Sequence, residues 1–408
     1  MKILVLNCGS SSVKFQLIEA GEEEERDRAL AKGLVEDAGG TAILHYEAEG
    51  KKPIRDATGT FEHKSAVERT LAVLTDPETG VLPHKDEIAA VGHRVVHGGE
   101  QFKTSVLIDE RVVDDIEACI ALAPLHNPAN LQGYRAAKAV LPGVPHVAVF
   151  DTSFHQTMPP EAFLYALPYS LYQRFGVRRF GFHGTSHRFV SGRAAVLLGR
   201  PPDDPELRLI TCHLGNGASV CAIRGGKSID TSMGFTPLEG LVMGTRCGDV
   251  DPAALLFIMS REELGAAEAS ALMNKHSGLL GLSGLSHDMR TLLEAEEKGN
   301  ERAHLAIELF CYRLRKYIGS YLAALGGADV LVFAGGIGEN SPAIRARTLH
   351  GLDALGIALD PARNAAGSGT EAEISPAGAR PRVYVVPTNE ELLIARDTFR
   401  IVRGLPSR

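Results

Sequence analysis

A chain of 408 residues, 44% apolar and 23% charged, is long enough for two or three domains and too ordinary in composition for a disordered or fibrous protein. Its 43 Lys and Arg against 50 Asp and Glu leave a net charge of −7. That balance argues against nucleic acid or anionic lipid held by an overall positive field, while leaving room for a local basic pocket. The six cysteines form no CxxC pair, which excludes a zinc knuckle or a disulfide framework. With no apolar run of membrane-spanning length, no signal-peptide pattern and no N-x-S/T acceptor, the expected location is the cytoplasm, away from any membrane.

In chain order, strands are expected at residues 2–7 and 13–20, around the small-residue turn Cys8-Gly9-Ser10-Ser11-Ser12. The charged run GEEEERDR at 21–28 reads as a solvated turn. Helical periodicity over 65–74 precedes a strand at 89–96; helices at 112–123 and 129–140 lead to a strand at 146–150 and a helix at 185–198. Strands at 208–213, 219–224, 329–334 and 382–386 follow, with a long helical stretch over 289–325 broken near Gly299. Residues 199–205 and 365–381 read as surface connections. This alternation predicts an α/β fold with mixed or parallel sheets flanked by helices, in which ligands collect at the carboxyl ends of strands.

The sequence also echoes itself. LVLNCGSSSVKFQLI near the start and LITCHLGNGASVCAI from Leu209 share a strand, a Gly/Ser/Asn turn and a second strand. Aligning Ser12-Val13 with Ser219-Val220 separates the copies by 219 − 12 = 207 residues, about half the chain. A duplicated unit explains this, as would two independent glycine-rich hairpins.

Three small-residue loops stand where phosphates are usually cradled: Asn7 to Ser12, His213-Leu214-Gly215-Asn216-Gly217, and Gly335-Gly336-Ile337-Gly338-Glu339-Asn340. Glycine lets backbone N–H groups approach an anion closely. None fits the P-loop or the GxGxxG pattern. Arg and His recur between glycines at GHRVVHGG (92–99), RRFGFHGTSH (178–187) and GTRCGD (244–249), residue types suited to carboxylates and phosphoryl oxygens. Asp151 and Glu390 follow strand-like runs, where each could touch a metal or a reacting group. HExxH and GxSxG are absent, which removes zinc hydrolases and α/β-hydrolases and leaves a hard cation such as Mg²⁺ beside a nucleotide.

Nine segments in order, LVLNCGSSSVKFQ, GHRVVHGG, APLHNP, VFDTSFHQTMP, RRFGFHGTSH, HLGNGAS, DTSMGFTPLEGLVMGTRCGDVDP, FAGGIGENS and TNEELLIARDT, resemble the acetate and propionate kinase family, within the sugar kinase, Hsp70 and actin superfamily. The resemblance implies a duplicated actin-like (ribonuclease H-like) fold of two lobes, with the active site in the cleft between them. It also implies a homodimer. The expected division is 1–150 plus about 386–408 for the first lobe and 151–385 for the second, the latter carrying the dimer interface.

By the same resemblance, Asn7 and Glu390 are the metal-site residues for Mg²⁺, which Mn²⁺ can replace. Ser10, Ser12 and Lys14 form the first ATP phosphate loop, and His213, Leu214, Gly215, Asn216 and Gly217 the second. Asp288, Met289 and Arg290, with Gly335, Gly336, Ile337, Gly338 and Glu339, form the adenosine side. Arg94 and His126 belong to the substrate site, with an apolar wall at Val96, Leu125, Phe182 and Pro237. Asp151, His183 and Arg246 are the catalytic residues.

The implied reaction is reversible transfer of the γ-phosphoryl group of ATP to acetate, giving acetyl phosphate and ADP. A carboxylic acid with a pKa of roughly 4–5 is already ionised at neutral pH and needs no general base, so Asp151 is expected to organise the metal or position reacting groups. Arg94 is expected to clamp the acceptor carboxylate, with Arg246 and His183 on the transferring phosphoryl group. Propionate is the alternative acceptor. An ATPase switch like actin or Hsp70, phosphorylating no small acid, is the alternative of another class.

Overall fold

The computed structural model describes residues 1–57 and 59–406. It divides into two compact units, the first formed by Met1–Phe154 with the chain from Asn389 onward, the second by His155–Thr388. These bounds differ from the expected ones at both crossings. The Asp151 N–H donates to the Val95 carbonyl at 3.0 Å, tying that residue to the first unit, and the Val386 N–H donates to Phe333 at 3.0 Å in the second.

The first unit is built on eight strands: β1 (Lys2–Gly9), β2 (Ser12–Glu19), β3 (Arg28–Ala38), β4 (Thr41–Ala48), β5 (Ile54–Ala57), β6 (Ile88–Val95), β7 (Val106–Leu107) and β8 (His146–Phe150). Their order is β5-β4-β3-β2-β1-β6-β8-β7. Alternation along β1 sends Leu4 and Leu6 to one face of the sheet and Ile3 and Val5 to the other. The first face packs with Val67, Leu71 and Leu74 of the helix His63–Thr75 and Ala137 of Asn127–Val140; the second meets Ile394, Ala395 and Phe399 of the helix Glu390–Val402. Gly92 permits that second packing, since a Cβ there would stand 2.5 Å from Thr398 Oγ1 and 2.7 Å from Ile394.

The second unit contains β9 (Arg208–Leu214), β10 (Ala218–Arg224), β11 (Lys227–Thr231), β12 (Val330–Ala334), β13 (Ala372–Glu373) and β14 (Arg382–Val385) in the order β11-β10-β9-β12-β14-β13. The helices Gly184–Leu197 and Glu301–Leu325 pack on its strands. The long helical stretch does break at Gly299 (φ +85°), where Met289–Glu297 ends and Asn300 caps the next helix.

Strand pairing decides the meaning of the internal echo. In each unit the first strand pairs antiparallel with the second (β1 with β2, β9 with β10) and parallel with a later one (β6, β12), which pairs parallel with another (β8, β14). One topology is used twice. The hairpins differ by one residue: Gly9 faces Ser12 across a two-residue turn, while Leu214 faces Ala218 across Gly215-Asn216-Gly217.

Four expectations need correction. Strands β3 to β5 lie in a region read without strands, because their outward faces are charged and only one face is buried. The 21–28 cluster is not all solvated: Asp27 accepts from the Gly21 N–H at 2.9 Å and from Arg396 Nε at 3.0 Å. Residues 365–381 include β13 and the fully buried Ile374 and Ser375. Gly335–Asn340 is a short helix, not a loop; Gly335 takes φ +74° and a Cβ there would strike the Leu214 backbone at 2.8 Å.

Candidate active site

In the first unit the chemistry gathers around Arg94, near the carboxyl end of β6. Its Nε and Nη2 donate to the two Asp151 oxygens at 3.0 and 2.5 Å, a bidentate pair, and Nη1 donates to Asn7 Oδ1 at 3.3 Å. Glu390 Oε2 lies 3.9 Å from Nε. Glu390 opens its helix behind Asn389, whose side chain caps the Leu392 N–H. Lys14, paired across the hairpin with Asn7, forms an ion pair with Glu391 at 2.5 Å. Ser10 is exposed at the turn and Ser12 half-buried.

Electrostatically this cluster carries a surplus of negative charge. Burial would lower the Arg94 pKa, but the Asp151 and Glu390 carboxylates overcome it and keep the guanidinium charged. Burial pushes Glu390 up to about 7; Arg94 opposes this, and the Asp151 and Glu391 carboxylates add to it. Three carboxylates thus surround two cationic side chains. The wall residues divide: Val96 is buried and its N–H donates to Asn130 Oδ1 at 3.0 Å, whereas Leu125 is 63% exposed. His126 precedes the helix Asn127–Val140 and is exposed.

In the second unit the polar groups come from one sheet face and one helix start. Thr211 and His213 alternate on β9, and Ser219 stands opposite His213 on β10, so all three share a face. The N-terminal turn of Gly184–Leu197 brings His183, Ser186 and His187 over it. His183 Nδ1 is 2.9 Å from Ser219 Oγ, and His213 Nδ1 is 2.7 Å from Ser186 Oγ. The His183 and His213 rings face each other with centroids 4.3 Å apart. His183 takes φ +57°, a left-handed conformation that costs a non-glycine residue about 1–3 kcal/mol.

Arg246 reaches the tip of the second hairpin. A Cβ on Gly217 would stand 3.0 Å from its Nη2 and 3.3 Å from His183 Nε2, so the two side chains converge there. Arg246 Nη1 donates to the Pro237 carbonyl at 2.7 Å, and Arg246 has no carboxylate partner among the described residues. Burial accordingly lowers its pKa. The arginines of RRFGFHGTSH do something else. Arg179 binds the carbonyls of Thr231, Ser232 and Met233 and pairs with Glu239, while Arg178 lies over the Phe163 ring. Phe182 is buried, its carbonyl 3.0 Å from His155 Nε2.

The segments expected on the adenosine side are held by capping contacts. Asp288 accepts from the Arg290 N–H at 2.9 Å and pairs with its exposed guanidinium, which holds the carboxyl down to about 2. Met289 is buried. Glu339 accepts from the N–H groups of Gly335 (2.8 Å) and Thr388 (3.0 Å), while Gly336, Ile337 and Gly338 complete the short helix. Glu391 and Thr211 were not singled out from the sequence, and Ser186, His187 and Ser219 were read only as part of RRFGFHGTSH and of the internal echo, with no site role of their own. The signal for the last four was the polar residues alternating within otherwise apolar strands and beside His183.

Arginines set at glycine-rich hairpins of a duplicated α/β unit suit a phosphotransferase whose acceptor is itself an anion. Comparison with known proteins narrows that class. Residues 2–396 match the Acetokinase family. The chain is 55% identical over 404 residues to the acetate kinase of Methanosarcina thermophila, covering 98% of this chain and 97% of the relative. The acetate kinase of Porphyromonas gingivalis superposes with a TM-score of 0.93 at 50% identity, over 98% and 99% of the two chains. A propionate kinase from Francisella tularensis follows at 0.90 and 42%, over 99% and 100%. The chain belongs to the acetokinase family, and its activity is phosphoryl transfer between ATP and acetate. That removes the ATPase-switch alternative.

Proposed function

We propose that the transfer is a direct in-line displacement in which this chain supplies charge and position and no proton acceptor. Acetate arrives ionised, and the barrier is the approach of one anion to another. Arg246 carries this reading: a half-buried guanidinium with no carboxylate partner among the described residues suits charge that appears on the transferring phosphoryl group. His183 adds a second donor at the same hairpin tip.

The role expected for Arg94 is refined by its geometry. Its Nε–Nη2 edge is taken by Asp151, so the acceptor carboxylate is met by the outward N–H groups of Nη1 and Nη2. Asp151 acts by fixing that orientation. Asn7 and Glu390 fit a Mg²⁺ site, with Mn²⁺ as substitute: both offer oxygen, and the surrounding carboxylate surplus calls for a cation. Such an ion would take its remaining ligands from water and phosphate. Bound there, Mg²⁺ would neutralise phosphate oxygens of ATP.

Acetate is preferred over propionate, in keeping with the higher identity to acetate kinases. One methylene is worth only about 1–3 kcal/mol in an apolar pocket. The proposed assembly is a homodimer through the helix Pro252–Arg261, which has no buried residue and exposes Leu256 and Phe257. The proposed location is the cytoplasm, where the free cysteines stay reduced; no helix of the described residues is long and apolar enough to cross a membrane.

The test is Mg²⁺-dependent acyl hydroxamate formation from ATP and hydroxylamine with acetate, propionate and butyrate. Acetate ahead in kcat/KM supports the assignment. Propionate equal or ahead would move the preference to the larger acid with the mechanism intact, and ATP hydrolysis without hydroxamate would overturn the carboxylate site.

A further inference from the structure

Beneath His183 lies a closed chain of hydrogen bonds that transfer itself does not require. His183 Nδ1 is 2.9 Å from Ser219 Oγ, Ser219 Oγ is 2.8 Å from His187 Nε2, and His187 Nδ1 is 2.8 Å from Thr211 Oγ1. Ser219, His187 and Thr211 are all fully buried. Ser219 has one proton and two lone pairs to offer two imidazole nitrogens; accepting from both would leave the buried Ser219 proton without an acceptor, so it donates to one and accepts from the other. The chain therefore has two directions.

Thr211 decides between them. Its hydroxyl has His187 Nδ1 as its one hydrogen-bond partner among the described residues. If Thr211 donates to His187 Nδ1, then His187 carries its proton on Nε2 and donates to Ser219. Ser219 in turn donates to His183 Nδ1, and every proton in the chain is used. In the reverse direction His183 Nδ1–H donates to Ser219, Ser219 to His187 Nε2, and His187 Nδ1–H to Thr211. The Thr211 proton then has no acceptor, at a cost of about 1–3 kcal/mol for a buried group. A doubly protonated His183 must donate from Nδ1, which leaves either the Thr211 or the Ser219 proton without an acceptor. Burial, with His155 and His213 adding to it, also holds the His187 pKa far below its ordinary value, so His187 stays neutral as the chain requires. The neighbouring contact has no such lock, because Thr388, the hydroxyl partner of Ser186, is half-buried and can turn to water.

We propose that Ser219, His187 and Thr211 are positioning residues that hold His183 as the neutral tautomer with its proton on Nε2, the nitrogen beside Gly217 and Arg246. The kinetic consequence rests on the reading above that His183 donates to the transferring phosphoryl group. With Nδ1 occupied as an acceptor, the ring presents an N–H at the hairpin tip, ready before the phosphoryl group arrives.

The measurement is a two-bond ¹H–¹⁵N spectrum of the full-length protein labelled with ¹⁵N-histidine, in which the His183 signals are assigned by their loss in His183→Asn. The wild type is expected to show the Nε2–H pattern. Thr211→Val, which removes the hydroxyl at nearly constant volume, should shift His183 towards the other tautomer. It should also lower kcat about tenfold, by analogy with the loss on removing the partner that orients a metal-bound histidine, with KM for acetate and ATP within about twofold. Thr211→Ser keeps the hydroxyl and should restore both, which a packing role alone would not do. Should Thr211→Val fail to fold, Ser219→Ala breaks the same chain, and the wild-type spectrum stands without either variant. An Nδ1–H or imidazolium pattern in the wild type overturns the proposal, as does a variant that leaves the His183 pattern unchanged. A shifted tautomer with kcat unchanged would uphold the lock and remove His183 from the transfer step.

Discussion

The two units share one strand topology and hold their key arginines in opposite ways. Arg94, on the strand that follows the first hairpin in the sheet, is gripped at two nitrogens by Asp151 and surrounded by Asn7 and Glu390. Arg246, at the second hairpin, has a backbone carbonyl and no carboxylate. A paired guanidinium is rigid and partly neutralised, which suits recognition of a ligand that is already charged. An unpaired one keeps its full field for charge that grows during reaction. Under the roles proposed above, a duplicated scaffold divides binding from transition-state stabilisation by changing only which carboxylates surround each arginine.

The largest test of that contrast is Arg246→Ala. A cation on the transferring phosphoryl group is worth about 10³–10⁵ in rate, so kcat should collapse by that order while the thermal midpoint stays near wild type, since no ion pair is lost. A modest loss with intact folding would sink the assignment. Asp151→Asn should act on both scores: kcat/KM for acetate is expected to fall about 10²-fold as Arg94 loses its orientation. Urea unfolding should show a loss of about 3 kcal/mol, because one partner of a buried pair is gone.

Acidification probes both units together. Burial pushes His97 and His146 down to about 4 and lowers His93 and His187 well below their ordinary value. Below pH ~6.5 the unfolded chain binds protons that the folded chain refuses. This contribution is therefore complete above that pH and is lost as pH falls towards 4. Urea midpoints at pH 7, 6 and 5 should decline in step, the raised Glu390 pKa offsetting part of the loss; a flat profile in Glu390→Gln would show that these rings take up protons in the fold as readily as in the unfolded chain. The smallest expected effects are local. Gly92→Ala should cost about 1–3 kcal/mol by overpacking against Thr398 and Ile394, and it should raise the Mg²⁺ requirement as Glu390 shifts. For the homodimer proposed above, Phe257→Glu should move sedimentation from dimer to monomer with the fold unchanged.

Much of the framework was legible because period and punctuation agree. β8 falls where the apolar run HVAVF predicts it, and the helix break at Gly299 follows from a glycine amid helical periodicity. Strands β3 to β5 were not legible. Their outward charges blur the alternation, and only successive pairing outward from β2, with β3 on β2, β4 on β3 and β5 on β4, makes them strands. The short helix at Gly335 was hidden for a related reason: a glycine-rich run has low helix propensity, and the cap supplied by Glu339 and the close approach to Leu214 decide its form.

By itself the sequence determined the α/β class, the repeated hairpin, and the residue types that attract phosphate and carboxylate, because these depend on local spacing and side-chain chemistry. Tertiary structure alone decided which arginine is paired and which is not, and that Asp151 belongs with Arg94. It also brought Thr211, Ser219 and His187 into one chain beneath His183. Electrostatic fields and buried hydrogen bonds act through space, at distances set by strand register and helix packing rather than by position along the chain.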